Sequence, residues 1–234
     1  MDDVSLRRSF LRVPLHRKSA RWLALEDCII ANEIVGEDVA AQVVMRDLSP
    51  LPRTGFKGAE SPAWLEAQGL VLPTAPNQAL VQHDGSLVAR LAPGEFLILG
   101  GLKAPPSPLM GEDLVPWVRR LDRSWSIDTA GFCFQVPRRD SHAWIHLSGP
   151  KTPSLFAKIC GVDLSPGVFP DLAIAQTSVA RLSAIVIRDD RGAPEPQFHL
   201  LADSTSAIYL WDCLEDAMAE FSGSIAGISS LRPA

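Results

Sequence analysis

A pattern that occurs twice constrains the fold of this chain more than any other feature. Residues 58–62 and residues 149–153 both read Gly-x-x-[Ser/Thr]-Pro. Serine suits the N-cap of a helix, proline suits its first position, and glycine is favoured just past its end. Each copy therefore predicts a short helix, the first with Ser61 as N-cap and ending at Gly69, the second ending at Gly161.

Segments with strand-like composition flank both helices. In the first copy, a strand over 38–45 precedes the helix, and Asp84-Gly85 and Pro93-Gly94 predict turns between the strands that follow it. We therefore predict an α+β fold of two pseudo-repeated strand-helix-strand-strand units with antiparallel sheets. In the second copy, strands are expected over 132–136, 143–147, 178–188 and 198–201.

The register between the two copies is open at this stage. Val-Ala-Arg-Leu occurs at 88–91 and again at 179–182, with the same offset as the two repeated glycines. Aligning the predicted turns instead pairs Arg90 with Arg188. The first alignment makes the tetrapeptide part of the repeat, and the second makes it a coincidence.

A segment with three prolines, at 105, 106 and 108, is the best candidate for a boundary. Helical spacing follows it at Leu114, Trp117, Val118 and Leu121, and a last helix with one apolar face is predicted over 204–221. Residues 6–21 carry many arginines, which predicts either a solvated arm or an arm that contacts an acidic partner. The expected division is a basic arm at 1–37, a first α+β unit at 38–104, a connector and helix at 105–124, a second α+β unit at 125–223 and a tail at 224–234.

Composition excludes several classes of protein. At 47% hydrophobic and 21% charged residues, the chain is able to bury a core, which excludes general disorder. The formal net charge of −5 argues against a nucleic-acid binder. No run of eighteen apolar residues predicts a membrane helix, and no apolar region near the N-terminus predicts a secretory signal. We therefore expect a cytoplasmic protein with four reduced, buried cysteines.

The sequence assigns no catalytic residue. It contains no Gly-x-Gly-x-x-Gly, Gly-x-x-x-x-Gly-Lys-[Ser/Thr] or Gly-x-Ser-x-Gly stretch. The cysteines form no Cys-x-x-Cys pair, and His142 and His146 lie in a strand-like segment, so no metal site is expected. Asp84 is typical of a turn rather than of a general base.

Several motifs in order resemble one known family. The resemblance covers roughly residues 40–223 and is to the gamma subunit of heterotetrameric sarcosine oxidase, a branch of the aminomethyltransferase-like, tetrahydrofolate-binding fold. It rests on the ordered stretches Arg46-Asp47-Leu48-Ser49-Pro50, Asp84-Gly85-Ser86-Leu87-Val88-Ala89-Arg90-Leu91, Ile145-His146-Leu147-Ser148-Gly149-Pro150, Cys160-Gly161-Val162-Asp163-Leu164 and Phe198-His199-Leu200-Leu201.

The resemblance implies a non-catalytic, structural subunit that works with alpha, beta and delta subunits. In that family the complex demethylates sarcosine oxidatively, passes the one-carbon unit to tetrahydrofolate, and uses FAD, FMN and NAD. We expect no cofactor on this chain itself; if folate binds here, Arg188 and Asp84 are the first candidates to contact it. The chain lacks the Gly-Leu-Gly-x-Arg-Asp stretch of the aminomethyltransferases and the Lys-Gly-Cys-Tyr-x-Gly-Gln stretch of the iron–sulfur maintenance relatives.

Two alternatives remain beside this reading. One is a free-standing folate-binding or aminomethyltransferase-like one-carbon protein. The other is a scaffold subunit, homodimeric when isolated, of an oxidoreductase that demethylates a different N-methyl amino acid.

Overall fold

The computed structural model describes residues 6–25, 27–101 and 116–231. Within them the chain forms fourteen strands and five α-helices. In chain order these are β1 (Arg7–Arg8), α1 (Arg12–Arg17), β2 (Ala20–Leu25), β3 (Cys28–Ile34), β4 (Val44–Asp47), β5 (Arg53–Lys57), α2 (Ser61–Ala67), β6 (Gln78–Val81), β7 (Leu87–Ala92), β8 (Glu95–Leu99), α3 (Trp117–Ser124), β9 (Phe134–Val136), β10 (His142–Ser148), α4 (Thr152–Ile159), β11 (Ile174–Val179), β12 (Leu182–Arg188), β13 (Gln197–Asp203), α5 (Ala207–Ala219) and β14 (Ser224–Ile225).

The chain divides into two compact units that are not consecutive in sequence. The discontinuous unit comprises the chain up to Leu51 together with Asp140–Leu231, and the inserted unit comprises Pro52–Arg139. This differs from the expected units at 38–104 and 125–223. The reason is strand pairing, because β4 pairs with β10 of the second half whereas β9 pairs with β5 of the first.

The inserted unit is built on one antiparallel sheet of five strands in the order β6-β7-β8-β5-β9. Helices α2 and α3 contribute Leu65 and Leu121 to a core that also contains Phe56 and Phe96 of the sheet. All four side chains are completely buried. The unit therefore has a hydrophobic core of its own.

The discontinuous unit contains a mixed sheet of six strands in the order β11-β12-β13-β10-β4-β14. Its strands pair antiparallel except for β14, which runs parallel to β4. One face carries Met45, Leu147 and Phe198 into a core that Phe156 of α4 and Trp211 of α5 complete. The tail expected at 224–234 is ordered in its described part, since β14 lies in this sheet.

Residues 7–34 do not form a solvated arm. Strands β1, β3 and β2 make a separate sheet of three strands, and Leu11 and Leu15 are completely buried in the main core. Leu11 and Leu15 are four residues apart, so both face the same side of α1 while Arg12 and His16 face solvent. Because this segment contains many arginines, its amphipathic pattern was not recognised in the sequence.

The two predicted copies have the same topology. Each runs strand, helix and then three strands, and the strands lie in the order second, third, fourth, first: β6-β7-β8-β5 and β11-β12-β13-β10. Strand β5 of the first copy was not predicted, because the strand expected at 38–45 corresponds to β4, and β11 and β12 of the second copy were predicted as a single strand. The prediction of two pseudo-repeated α+β units with antiparallel strands is confirmed.

The backbone geometry at Gly58 and Gly149 explains why both copies have glycine at this position. Gly58 and Gly149 follow the first strand of each copy with φ of +142° and +115°. A Cβ atom on Gly58 would lie 1.9 Å from the carbonyl oxygen of Phe132, and one on Gly149 would lie 2.6 Å from that of Gln42. Only glycine permits the backbone to approach this closely.

The structure settles the register between the copies. Residues 88–91 lie inside β7, whereas residues 179–182 span the turn between β11 and β12. The Val-Ala-Arg-Leu match is therefore a coincidence, and the alignment by turns is correct. The single strand expected over 178–188 is a hairpin, because Ala180 and Arg181 adopt left-handed conformations with φ of +48° and +66°.

Three smaller expectations are corrected and two are confirmed. The strand expected at 38–45 begins only at Val44, the N-cap of α2 is Glu60 rather than Ser61, and residues 204–206 form a 3₁₀ turn before α5. The turns at Asp84-Gly85 and Pro93-Gly94 are confirmed, as is the apolar face of the last helix. Helix α3 buries Trp117, Val118 and Leu121, while Leu114 and the three prolines lie outside the described residues. In the described parts of the chain, no helix has the length and apolar character needed to cross a membrane.

Candidate functional site

A row of polar side chains crosses the six-stranded sheet of the discontinuous unit. His146 on β10 lies directly opposite Arg46 on β4 and His199 on β13. All three are buried. Since side chains alternate along a strand and Met45, Leu147 and Phe198 face the core, the row lies on the opposite face of the sheet. We call this set, together with Trp144, Asp189 and Gln197, the polar cluster.

His199 is held by a hydrogen bond at each ring nitrogen. The indole Nε1 of Trp144 lies 3.1 Å from its Nδ1, and its Nε2 lies 3.1 Å from Oδ2 of Asp189. An indole nitrogen only donates, so Nδ1 accepts and the proton resides on Nε2. In this arrangement Nε2 of His199 donates to Asp189.

Asp189 links this histidine to the loop after β12. Burial raises the pKa of its carboxyl group, but the hydrogen bond from His199 and the ion pair with Arg191 outweigh burial, and the net pKa is lowered. Nε of Arg191 lies 2.7 Å from Oδ2 of Asp189, and the backbone N–H of Asp189 donates to the carbonyl of Gln197. The backbone of Asp189 thus joins the two ends of the 189–197 loop, and its carboxylate connects the loop to His199 of the sheet.

His146 is a buried titratable group between Arg46 and His199 in the row. Its Nε2 lies 3.1 Å from Oε1 of Gln197, an acceptor, so Nε2 carries the proton. Its Nδ1 has no hydrogen-bond partner among the described residues. Desolvation, assisted by the nearby His199 and Arg46, lowers the pKa of His146 well below its usual value and keeps the ring neutral.

Arg46 is a buried cation whose hydrogen bonds go to hydroxyl groups. Its Nη1 donates to Oγ of Ser148 at 2.9 Å, and its Nη2 donates to Oγ of Ser230 at 2.9 Å. Burial lowers its pKa to about 10, with Glu37 acting in the opposite direction. The guanidinium therefore stays charged at neutral pH and connects β4 to β10 and to the C-terminal segment.

The chemistry of the cluster is that of a structural network. A histidine that acts as a base through an Asp–His pair needs its second nitrogen free to take a proton. In His199 that nitrogen already accepts from Trp144. Among the described residues, no group of three or more His, Cys, Asp or Glu side chains is arranged to hold a metal ion.

Arg188, a predicted folate contact, is fixed by neighbouring groups at the end of β12. Its Nε lies 2.9 Å from a carboxylate oxygen of Asp190, with which it forms an ion pair. Its Nη1 donates to the carbonyl of Phe169 at 2.6 Å. These bonds attach the 166–169 turn to the sheet, and folate contact by Arg188 remains a prediction.

Asp84, the other predicted contact, lies in the inserted unit and organises a turn. Its Oδ1 accepts from the backbone of Ser86 at 2.8 Å, and its Oδ2 accepts from the Ser86 hydroxyl at 2.7 Å. Oδ2 also accepts from the backbone N–H of Trp117 at 3.0 Å, at the start of α3. Asp84 thus belongs to a different compact unit from Arg188, and its role toward folate remains a prediction.

The polar cluster was not predicted from the sequence. His146 was noted only as one of two histidines on a strand, and His199 only as part of a family motif. The available signal was alternation, because Trp144, His146 and Ser148 share one face of β10 while Gln197 and His199 share the matching face of β13. Pairing of β10 with β13 was needed to bring the two sets together.

Two solved structures have similar folds. A chain of heterotetrameric sarcosine oxidase from Corynebacterium sp. U-96, determined in complex with pyrrole 2-carboxylate, superposes with a TM-score of 0.65 and 21% identity, over 92% of this chain and 96% of that one. The glycine cleavage system aminomethyltransferase T from Bartonella henselae superposes with a TM-score of 0.64 and 14% identity, over 97% of this chain.

The two neighbours differ in how much of their own length is matched. This chain spans 61% of the aminomethyltransferase chain but nearly the whole of the sarcosine oxidase chain. No protein-family model matches the sequence, and no curated protein matches it. The structural comparisons show that the chain has an aminomethyltransferase-type α+β fold.

Proposed function

We propose that this chain is a non-catalytic assembly subunit of a heterotetrameric, sarcosine oxidase-like complex. The observation that carries the proposal is the reciprocal coverage of the sarcosine oxidase chain, 92% of this chain and 96% of that one. The two chains are thus similar in length as well as in fold. The motif order described above supports the gamma subunit as the counterpart.

The bonding of the polar cluster supports a structural role. His199, Asp189 and Arg46 all have partners that hold strands and loops together. Buried polar groups that are hydrogen-bonded in this way stabilise a unique arrangement of the sheet. Folate chemistry and flavin chemistry then belong to the partner subunits.

Two exposed surfaces of the kind that an assembly subunit needs support the proposal as well. In the inserted unit, Phe132 and Ile127 lie in the segment between α3 and β9 and are 67% and 66% exposed. In the discontinuous unit, Arg8, Arg12 and Arg17 are exposed and form no ion pair with any described residue. Exposed aromatic side chains and unpaired arginines are enriched where proteins bind proteins.

Co-expression tests the proposal. The chain is produced with the candidate alpha, beta and delta subunits from the same genome, and only one partner carries an affinity tag. We expect this chain to co-purify in fixed proportion, and Phe132→Ser to reduce its recovery while Val71→Ser, a change at another exposed position of the same unit, does not. Failure of the untagged wild-type chain to associate contradicts the proposal.

The similarity to aminomethyltransferase T favours a second candidate, a free-standing folate-binding protein. Calorimetric titration of the isolated chain with tetrahydrofolate separates the two. The assembly proposal predicts no saturable heat, whereas saturable binding that Arg188→Gln or Asp84→Asn weakens supports the folate alternative. The substrate of the parent complex, whether sarcosine or another N-methyl amino acid, would be chosen by its other subunits.

A further inference from the structure

The discontinuous unit contains a surface cavity that shares no residue with the polar cluster. Its volume is about 550 Å³, within the range of small-molecule sites. The end of α4 forms one wall, the turn between β11 and β12 forms the rim, and one side of α5 forms the other wall. The lining consists of Lys158, Ile159, Cys160, Gly161, Ala180, Arg181, Tyr209, Cys213, Asp216 and Ala217.

The turn that presents Arg181 is strained. Ala180 and Arg181 are consecutive left-handed residues that connect the paired residues Val179 and Leu182. A two-residue turn of this kind favours Asn-Gly, since residues with a Cβ are costly there. The N–H of Ala180 donates to the carbonyl of Ile159 at 2.8 Å, which attaches the turn to the end of α4. The rim is therefore fixed in place.

Arg181 is the cation that remains available at the cavity. Its side chain is exposed and forms no ion pair or hydrogen bond with any described residue. Lys158, the other cation of the lining, donates to Glu220 at 2.9 Å and to the carbonyl of Ala217 at 3.0 Å. Asp216 provides the one carboxylate of the lining and opposes an anion.

The side chains of Tyr209, Cys160 and Cys213 provide apolar surface to the cavity. The Tyr209 ring is 49% exposed on α5 although it is a large aromatic group. Its hydrogen bond with the Cys213 thiol raises the pKa of the phenol, which stays protonated, and the charge of Arg181 acts on the same phenol. Cys160 and Cys213, expected to be buried, are partly exposed free thiols.

We propose that this cavity binds an organic carboxylate with an aromatic or apolar body. The guanidinium of Arg181 pairs with the carboxylate, as its planar fork favours. Tyr209 contacts the body of the ligand, and Ile159 and Ala180 add apolar lining. The inference concerns this chain alone and does not depend on assembly with flavoprotein subunits.

The test uses the full chain and 4-fluorobenzoate observed by ¹⁹F NMR, with neutral 4-fluorobenzamide as the matched probe. We expect saturable binding of the benzoate and at least several-fold weaker binding of the amide. Arg181→Gln is expected to weaken benzoate binding about fivefold to tenfold, the effect of losing one charge-assisted pair. Arg181→Lys retains most of the binding, and Asp216→Asn strengthens it.

A variant at an arginine away from the cavity controls for nonspecific loss of binding. Arg123→Gln removes an exposed arginine of α3, outside the cavity, and is expected to leave binding unchanged, and circular dichroism verifies that each variant is folded. The proposal is overturned if benzoate shows no saturation up to about 10 mM. It is equally overturned if the amide binds as tightly as the acid, or if folded Arg181→Gln binds like the wild type.

Discussion

At the scale of single residues, burial of His146 couples folding to pH. Its pKa is lowered in the folded state, so the unfolded chain takes up a proton first as pH falls. The groups around it are Arg46 and His199, which oppose its protonation, and Gln197 and Asp189, which favour it. The contribution of His146 to stability is therefore fully present above the pKa of histidine in the unfolded chain, about 6.5, and decreases as the pH falls below that value.

Denaturant unfolding at several pH values measures this effect. Between pH 6.5 and 5.5 the contribution of His146 to the unfolding free energy should fall by about 1 kcal/mol. His146→Gln removes that part of the pH dependence, whatever its effect at pH 7.5, while the matched change His16→Gln at an exposed histidine of α1 preserves it. Identical pH slopes for wild type and His146→Gln contradict the assignment.

Asp189 is the second residue whose environment makes a quantitative prediction. It accepts from both His199 and Arg191, and its side chain is only 1% exposed. Asp189→Asn should lower the unfolding free energy by about 2 kcal/mol, since charge-assisted hydrogen bonds are lost within a buried network. Asp128→Asn, at an exposed aspartate, is the control with an expected change near zero. Equal unfolding free energies of the Asp189→Asn and Asp128→Asn variants would contradict a structural role for Asp189.

Sequence reasoning at this scale succeeded only where a residue acts locally. Asp84 was read as a turn residue, and it does hold a turn. Arg46 lies 100 positions before His146, and His199 lies 53 positions after it, so the three become neighbours only through strand pairing. Local patterns contain no information on which strand lies beside which, so this part of the site required the three-dimensional structure.

At the scale of elements, the glycine that follows the first strand of each copy is a test of the repeat. Gly149→Ala places a Cβ 2.6 Å from a backbone oxygen at a φ of +115°. We expect a loss of at least about 2 kcal/mol in unfolding free energy, because backbone on both sides must move. Gly161→Ala is the matched control in the same unit, since a Cβ there meets nothing within 4 Å. Thermal and denaturant unfolding compare the two, and equal stability would contradict a steric role for Gly149.

The hairpin between β11 and β12 makes a prediction of the opposite sign. Arg181→Gly relieves a left-handed residue of its Cβ and should stabilise the chain by about 1 kcal/mol. Arg181→Ala removes the same charge but keeps the strain, so it should leave the melting temperature nearly unchanged. If both variants shift the melting temperature equally, the strain at this turn is not the cause.

Residues typical of helix ends predicted the secondary-structure elements most reliably. The helices that begin near Pro62 and Pro153 were predicted from proline and glycine positions, and both exist within two residues of the expected ends. The Ala180–Arg181 turn was missed because neither residue is typical of a left-handed conformation. The helix at residues 12–17 was not predicted, because the many arginines of this segment indicated a solvated arm and the four-residue spacing of Leu11 and Leu15 was not considered.

At the scale of the whole molecule, the division into units predicts which fragment folds alone. The fragment 52–139 contains all five strands of its sheet and its own core. The fragment 38–104, the consecutive unit expected from sequence, lacks α3 and β9 and includes a strand that pairs elsewhere. Circular dichroism should show cooperative unfolding for 52–139 only. Cooperative unfolding of 38–104 alone would contradict the observed division.

The fold class followed from the repeat, whereas the discontinuous arrangement did not. Two copies of one topology are visible in the spacing of glycines and prolines because those residues have local conformational roles. The return of the chain to the sheet of β4 after residue 139 leaves no local signal. The proposed assembly role, in turn, would depend on surfaces whose partners are other chains.

The mass of the purified complex tests the central claim most directly. Native mass spectrometry of the co-expressed alpha, beta and delta subunits with this chain should give one assembly that contains one copy of this chain beside the flavin-bearing subunits. Omitting this chain should reduce the recovery of that assembly, and this chain alone should oxidise no sarcosine. An intact, fully active complex that forms without this chain would contradict the account.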